Sequence, residues 1–105
     1  MNLPTEIFGN VVVVHTPDEL GADQVDAFET FIPTLDRTNV VLDVDATEML
    51  DSSGLESILR MQDLLREQGG DAKIATSNAT NRKIFEIIRL DQQLEVFESV
   101  LDAVR

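Results

Sequence analysis

The residues with the clearest chemical potential are two adjacent serines in the tetrapeptide Asp51-Ser52-Ser53-Gly54. The tetrapeptide follows a strand-like run at residues 40–44 and precedes apolar residues that recur at helical spacing. A small hydroxylated loop between a buried strand and a helix N-terminus is where α/β proteins place phosphate and other ligand chemistry. The pattern therefore predicts either such a site or, more simply, a serine that caps the following helix.

Other catalytic or metal-binding arrangements find little support in the sequence. His15 is the only histidine and the chain has no cysteine, so neither a transition-metal site nor a thiol nucleophile is predicted. A serine–histidine–aspartate triad would need Ser52 and His15, but the G-x-S-x-G turn of such nucleophiles is missing. Gly69-Gly70 lacks the lysine and hydroxyl of a phosphate-binding loop. We expect no catalytic residue, no metal and no cofactor.

The composition limits the class of protein and the kind of partner. The 105 residues, 43% hydrophobic and 27% charged, are typical of one globular domain spanning residues 1–105. Twenty acidic against eight basic residues give a net charge of −12, which disfavours binding to nucleic acid or anionic lipid. No apolar run is long enough to span a membrane, and the first residues do not resemble a signal peptide. We expect a cytoplasmic domain, not inserted in a membrane, with a neutral or basic partner.

Strand and helix patterns alternate along the chain and must position the serines. The predicted elements are strands at residues 6–8 and 11–14, a helix over residues 25–35, a strand at 39–44, a helix from the serines to Gly69-Gly70, a strand at 72–76, a helix over 84–90, an ambiguous strand or helix at 96–97, and a last helix capped by Ser99. Short connections join them. The order predicts a single α/β domain with a mostly parallel or mixed sheet of four to five strands and about four helices.

This order of elements resembles the STAS domain, the fold of bacterial anti-sigma factor antagonists. The tetrapeptide and Leu55 are similar to the family's central signature of aspartate, serine, serine or threonine, glycine and leucine. Residues 69–74 resemble its glycine turn and following strand, and residues 90–99 resemble the stretch before its last helix. The resemblance covers nearly the whole chain, roughly residues 6–104.

The resemblance implies a regulatory protein that catalyses nothing itself. In such antagonists the first serine of the signature is phosphorylated by a partner that is both anti-sigma factor and GHKL-type serine kinase. The unphosphorylated antagonist binds this kinase and releases the sigma factor, and a phosphatase restores the binding form. By motif position, Ser52 is the expected phosphorylation site. The expected partner-binding residues are Asp18, Asp51, Ser52, Ser53, Gly54 and Glu56.

Individual roles follow from the same motif positions. Asp51 is expected at the kinase interface, Ser53 as a helix-capping or supporting hydroxyl, and Gly54 where two backbones approach closely. Asp18 is expected near the serine loop, with a solvated turn aspartate as the alternative. Glu56 stands where regulated antagonists commonly carry a small residue. A second functional hypothesis is a scaffolding STAS subunit of another assembly, such as a lipid-transport ATPase, in which the serine is not modified.

Overall fold

A five-stranded mixed sheet forms the centre of the computed structural model, which describes residues 1–78 and 94–104. Its strands, in chain order, are β1 (Thr5–Phe8), β2 (Val11–His15), β4 (Asn39–Asp43), β6 (Asp71–Ala75) and β7 (Val96–Phe97). They lie side by side in that same order. The pair β1–β2 is antiparallel and the other three pairs are parallel. This confirms the predicted fold class and the two predicted strands at residues 6–8 and 11–14, which form a hairpin, and it assigns residues 96–97 to a strand.

The β-branched run in β2 explains why this strand sits inside the sheet. Val12 and Val14 project into the main core, whereas Val13 projects to the opposite face, and all three are buried. A strand that is covered on both faces has a continuous apolar sequence. Valine side chains, which are restricted at χ1, pack well on the pleated surface of a sheet. Gly9, with φ of +62°, makes the tight turn that returns β1 along β2. The sheet is therefore anchored by its most strand-like segment.

Three α-helices and one 3-10 turn occur among the described residues: α1 (Val25–Phe31), the turn (Ile32–Thr34), α2 (Ser52–Glu67) and α3 (Val100–Val104). Pro33 lies within the 3-10 turn where the first predicted helix was expected to stop. Ser99 Oγ accepts a hydrogen bond from the Asp102 amide at 3.1 Å, so its predicted capping role is confirmed. The helix predicted at residues 84–90 lies outside the described residues. None of the described helices is long and apolar enough to cross a membrane.

The described residues cover the two faces of the sheet unequally. On one face, Phe28 of α1 and Ile58 of α2 pack with Leu42 and Ile74, and all four side chains are buried. On the other face a smaller cluster centres on Val13 and is covered by α3. The long helix that begins at the serines is therefore held against the sheet by the main core. This fixes the position of its N-terminus.

A second sheet of two short parallel strands precedes the serines. It consists of β3 (Glu19–Leu20) and β5 (Met49–Leu50), with Glu19 beside Met49 and Leu20 beside Leu50. Leu20 is fully buried, whereas Glu19 and Met49 are exposed. The sequence does not predict either strand, because two residues are too few to show the alternation of apolar and polar side chains that is typical of a strand. This small sheet leads the chain directly into Asp51 and α2.

Candidate functional site

Asp51 provides the N-cap of α2 and so defines the geometry of the serine loop. Its backbone is extended and its Oδ1 accepts a hydrogen bond from the Gly54 amide at 2.9 Å. Its Oδ2 accepts a second hydrogen bond, from the Ala22 amide at 3.2 Å. The carboxylate thus satisfies one open amide of the helix and ties it to the segment after β3. The capping role that the sequence left open for the serines is wrong, because Asp51 fills it.

Ser52 and Ser53 are the first two residues of α2. Ser52 is exposed and Ser53 is partly buried. Neither hydroxyl makes a hydrogen bond to any residue in the described part of the chain. The Ser52 hydroxyl is therefore accessible to a modifying enzyme, and its removal leaves no buried polar group without a partner. The phosphorylation itself remains a prediction.

Gly54 lies where the expected close approach of two backbones occurs. A Cβ atom on this residue would be 2.0 Å from the carbonyl oxygen of Leu20, far inside van der Waals contact. Gly21 is similarly crowded, with a Cβ position 2.7 Å from Asp51 Oδ2 and 2.8 Å from Met49 Cε. Two glycines thus let the start of α2 pack directly on β3 and the segment that follows it. The start of α2 is therefore closely packed on this segment.

Asp18 and Glu48 lie together at the entrance to the small sheet. The Asp18 carbonyl oxygen accepts hydrogen bonds from the amides of Glu48 and Met49 at 2.8 and 3.1 Å. Both acidic side chains are exposed. Behind them, the Thr47 hydroxyl donates to the Pro17 carbonyl at 2.6 Å and joins the two segments. The predicted partner residue Asp18 therefore lies beside the chain that leads into Asp51, although its role in binding stays a prediction.

Glu56 is exposed one turn after Ser52 on α2. Residues four apart on a helix are neighbours on its surface, so the carboxylate and the serine share one patch. We define the acidic patch as Asp18, Glu48, Asp51, Ser52 and Glu56. No cation lies within ion-pair distance of its four carboxylates among the described residues. The site offers negative charge around one accessible hydroxyl.

A hydrogen-bonded contact between α1 and α2, exposed at its Arg60 end, helps to hold α2 in place. Glu29 of α1 accepts two hydrogen bonds from the Arg60 guanidinium, at 3.0 and 2.9 Å, and a third from the Ser57 hydroxyl at 3.0 Å. The hydrogen bond from Arg60 is the main cause of the lowered pKa of Glu29, while partial burial opposes it. Sequence reasoning missed this contact, because nothing local relates residues so far apart in the chain.

His15 is held between two carboxylates at the carboxyl end of β2. Its Nε2 lies 2.7 Å from Glu6 Oε1 and its Nδ1 lies 2.9 Å from Asp43 Oδ2. Burial alone would lower the pKa of His15, but the hydrogen bonds and charges of these two neighbours outweigh it and raise the pKa. With both ring nitrogens engaged in this way, the imidazole is not hydrogen-bonded to Ser52. No group of metal-ligating side chains occurs among the described residues.

Asp45 organises the loop at the carboxyl end of β6. It accepts hydrogen bonds from the Thr76 hydroxyl at 2.9 Å and from the Ser77 amide at 2.7 Å. Burial opposes ionisation of Asp45, but these and the neighbouring hydrogen bonds outweigh it and lower its pKa. The Asp45 carboxylate therefore stabilises the segment that follows β6.

The comparison with protein families agrees with this architecture. The sequence matches the STAS domain over residues 2–103. The chain belongs to the STAS domain family. The match includes the whole serine loop. No functionally curated protein matches the sequence.

Solved structures of other STAS proteins share the fold. An anti-sigma factor antagonist from Mycobacterium paratuberculosis superposes with a TM-score of 0.83 at 22% identity, over 98% of this chain and 90% of that one. A putative antagonist from Thermotoga maritima gives 0.82 at 18%, over 97% and 91%. The Bacillus cell fate determinant SpoIIAA in its phosphorylated form gives 0.69 at 22%, over 99% and 100%. At these identities the likeness establishes the fold alone.

Proposed function

We propose that this STAS domain is an anti-sigma factor antagonist whose affinity for its partner is controlled by phosphorylation of Ser52. In the unphosphorylated form it binds an anti-sigma factor serine kinase of the GHKL type, and the sigma factor is released. Phosphorylation ends that binding, and a phosphatase restores it. The observation that carries the proposal is the exposed Ser52 hydroxyl, which has no hydrogen-bond partner among the described residues and lies beside an N-cap that another residue supplies.

The charge around Ser52 explains how one phosphate could change partner binding. A phosphoserine carries about −1.5 to −2 charges at neutral pH and enters a patch that already holds carboxylates. Two unit charges roughly 8 Å apart interact by about 2 kcal/mol at an effective dielectric constant near 20. Several such terms, with steric exclusion at a packed interface, would weaken binding by about a hundredfold, which corresponds to roughly 2.7 kcal/mol.

The same modification leaves the domain folded. Open amides and the dipole at the start of a helix favour an anion by about 0.3–1 kcal/mol, which offsets part of the repulsion within the free protein. Because the Ser52 side chain supports no contact of the core, the phosphate displaces nothing. Binding and folding can therefore respond differently to one chemical event, which a regulatory switch requires.

Mass spectrometry after incubation with ATP and each GHKL-type kinase of the source organism tests the modification. We expect one added phosphate, located on Ser52. The Ser52→Ala variant should accept none, whereas the matched control Ser53→Ala should be modified like the parent chain. Absence of phosphate with every kinase, or transfer to another residue, would contradict the proposal.

Partner binding separates the antagonist from the scaffolding alternative. We expect Ser52→Glu to reduce affinity for the kinase about a hundredfold, while its melting temperature stays within a few degrees of the parent. The Ser52→Ala variant should bind the kinase, and addition of ATP should not dissociate this complex. If instead the chain binds a transport ATPase subunit equally well with serine, alanine or glutamate at this position, the scaffolding function is correct.

A further inference from the structure

A cavity of about 270 Å³ opens on the sheet face opposite α2, far from the serine loop. It lies at the amino ends of β2, β4 and β6, next to α3. A water molecule in the liquid takes about 30 Å³, so the cavity has room for roughly nine groups of that size. Nothing in the proposed switch uses this space.

The apolar lining of the cavity comes from both the sheet and the helix. Val11 and Val41 contribute from neighbouring strands, and Ala103 and Val104 contribute from α3. Binding sites for small molecules combine such an apolar surface with a few converging polar groups. These four apolar side chains can contact a short aliphatic body.

The polar lining is rich in hydrogen-bond donors. Lys73, Asn10 and Asn39 all border the cavity. Within the described part of the chain, no hydrogen bond engages the side-chain amide of either asparagine. Lys73 only donates hydrogen bonds, and each asparagine amide can turn its NH₂ group towards a ligand. All three groups can therefore donate to a carboxylate, which only accepts hydrogen bonds.

Lys73 differs from the other cations of the described residues in its contacts. The three described arginines each donate to a carboxylate or to a backbone carbonyl. Lys73 makes no described ion pair, and its Nζ lies 5.5 Å from the centroid of the Phe97 ring. A cation that lacks a carboxylate partner, in a chain with a net charge of −12, is available to an anionic ligand.

Asp71, the one acidic residue among the described lining residues, already has hydrogen-bond partners. Asp71 Oδ1 accepts hydrogen bonds from Arg66 Nε at 2.9 Å and from the Ala72 amide at 2.8 Å. The guanidinium therefore balances the negative charge of Asp71 at the rim. Among the described residues of the lining, Lys73 is then the charged group without an ion-pair partner.

We propose that this cavity binds a small aliphatic carboxylate. Its apolar body contacts Val11, Val41 and α3, and its carboxylate accepts hydrogen bonds from Lys73 and the two asparagine amides. The flexible stem of Lys73 allows the ammonium to turn from the Phe97 ring to the ligand. The site is distinct from the serine loop, and its test does not depend on a kinase.

Titration with 4-methylpentanoate, followed by ¹H–¹⁵N NMR of the intact chain, tests the proposal. We expect saturable shifts of amides at residues 10–11, 39–41, 71–73 and 103–104, with a dissociation constant in the millimolar range. Lys73→Gln should weaken binding about tenfold, and Lys73→Arg should retain most of it. The control Arg60→Gln removes the same charge on the other side of the sheet and should bind like the parent.

Matched ligands decide which chemistry is recognised. The uncharged analogue 4-methylpentan-1-ol and the amine 4-methylpentylamine should each bind at least tenfold more weakly than the carboxylate. Thermal unfolding of every variant verifies that the domain remains folded. Absence of saturation by any ligand, equal affinity for acid and alcohol, or unchanged affinity in folded Lys73→Gln would overturn the proposal.

Discussion

The carbonyl oxygen of Leu20 occupies the space that a side chain on Gly54 would need, 2.0 Å from the position of a Cβ atom there. Because the obstacle is backbone, β3 and α2 would have to separate to admit even a methyl group. The contact lies within the signature that identifies the family, two residues after the proposed phosphorylation site. It makes the packing of the loop directly testable.

We expect Gly54→Ala to lower the free energy of unfolding by about 1–3 kcal/mol, although alanine favours the helical conformation by about 1 kcal/mol. Urea denaturation measures the change. Ser53→Ala, the adjacent helical position, is the matched control and should stay within about 0.5 kcal/mol of the parent. Unchanged stability of Gly54→Ala would contradict the close packing described here.

Replacing Asp51 should destabilise the start of α2. Asp51→Ala loses the N-cap and the hydrogen bond to Ala22, and we expect a cost of about 1–2 kcal/mol. Asp51→Asn keeps a capping oxygen and should cost about half as much or less. Chemical denaturation of the two variants and of Ser52→Ala gives the comparison. A larger loss in Ser52→Ala than in Asp51→Ala would show that the serine is the true cap.

The His15 contacts predict a pH dependence in the neutral range. The pKa of His15 in the folded chain is raised above its ordinary value of 6.5, so the stabilisation is complete below that pH. It declines as the pH rises through the folded-state pKa. We expect the parent to lose a few tenths to about 1 kcal/mol more than His15→Gln between about pH 6 and pH 9. If the free energy of unfolding changes with pH in the same way in the parent and in His15→Gln, the contribution of His15 is contradicted.

The contact between Glu29 and Arg60 predicts the opposite pH dependence. The lowered pKa of Glu29 means that its stabilisation is complete above its ordinary value of 4.5 and is lost as the pH falls through the lower folded-state value. The Glu29→Gln variant should therefore lose less stability than the parent on acidification. A double-mutant cycle with Arg60→Gln should give a small favourable coupling energy, and additive effects of the two substitutions would contradict the contact.

Glu56 should affect the ionisation of a phosphate on Ser52. A neighbouring carboxylate disfavours the doubly charged phosphate, so Glu56→Gln should lower the second pKa of the phosphoserine, ordinarily about 6, by at least a few tenths of a pH unit. Titration followed by ³¹P NMR measures it in the enzymatically phosphorylated chain. Glu67→Gln, at the other end of α2, is the control. Equal values in all three proteins would place Glu56 away from the phosphate.

Long strands and the helix after the serines were predictable because each shows a pattern over many residues. The β-branched run of β2 and the glycine stop after α2 are examples, and both are confirmed. The first helix is shorter than the spacing from Val25 to Leu35 suggests, because Pro33 converts its last turn to 3-10 geometry. The small sheet escaped prediction, since pairing between Glu19 and Met49 depends on tertiary packing rather than on local pattern.

The site was predictable in its location but not in its internal roles. Aspartate is as good an N-cap as serine, so Asp51 had a sequence signal that the adjacent serines obscured. The contacts of His15 had no sequence signal, because Glu6 and Asp43 reach the imidazole from two other strands. Likewise, burial of Gly54 against Leu20 depends on where β3 lies. Propensity describes single segments, whereas these relationships arise only when segments meet.

The cap supplied by Asp51 has a consequence for how such domains diverge. Since residue 52 contributes little to folding, a descendant that replaced this serine by alanine, threonine or asparagine would still fold and would still carry the family's shape. The regulation that we propose at Ser52 would thus be lost by a single substitution while the architecture persisted. An intact fold would then be a poor guide to whether a relative keeps that regulation.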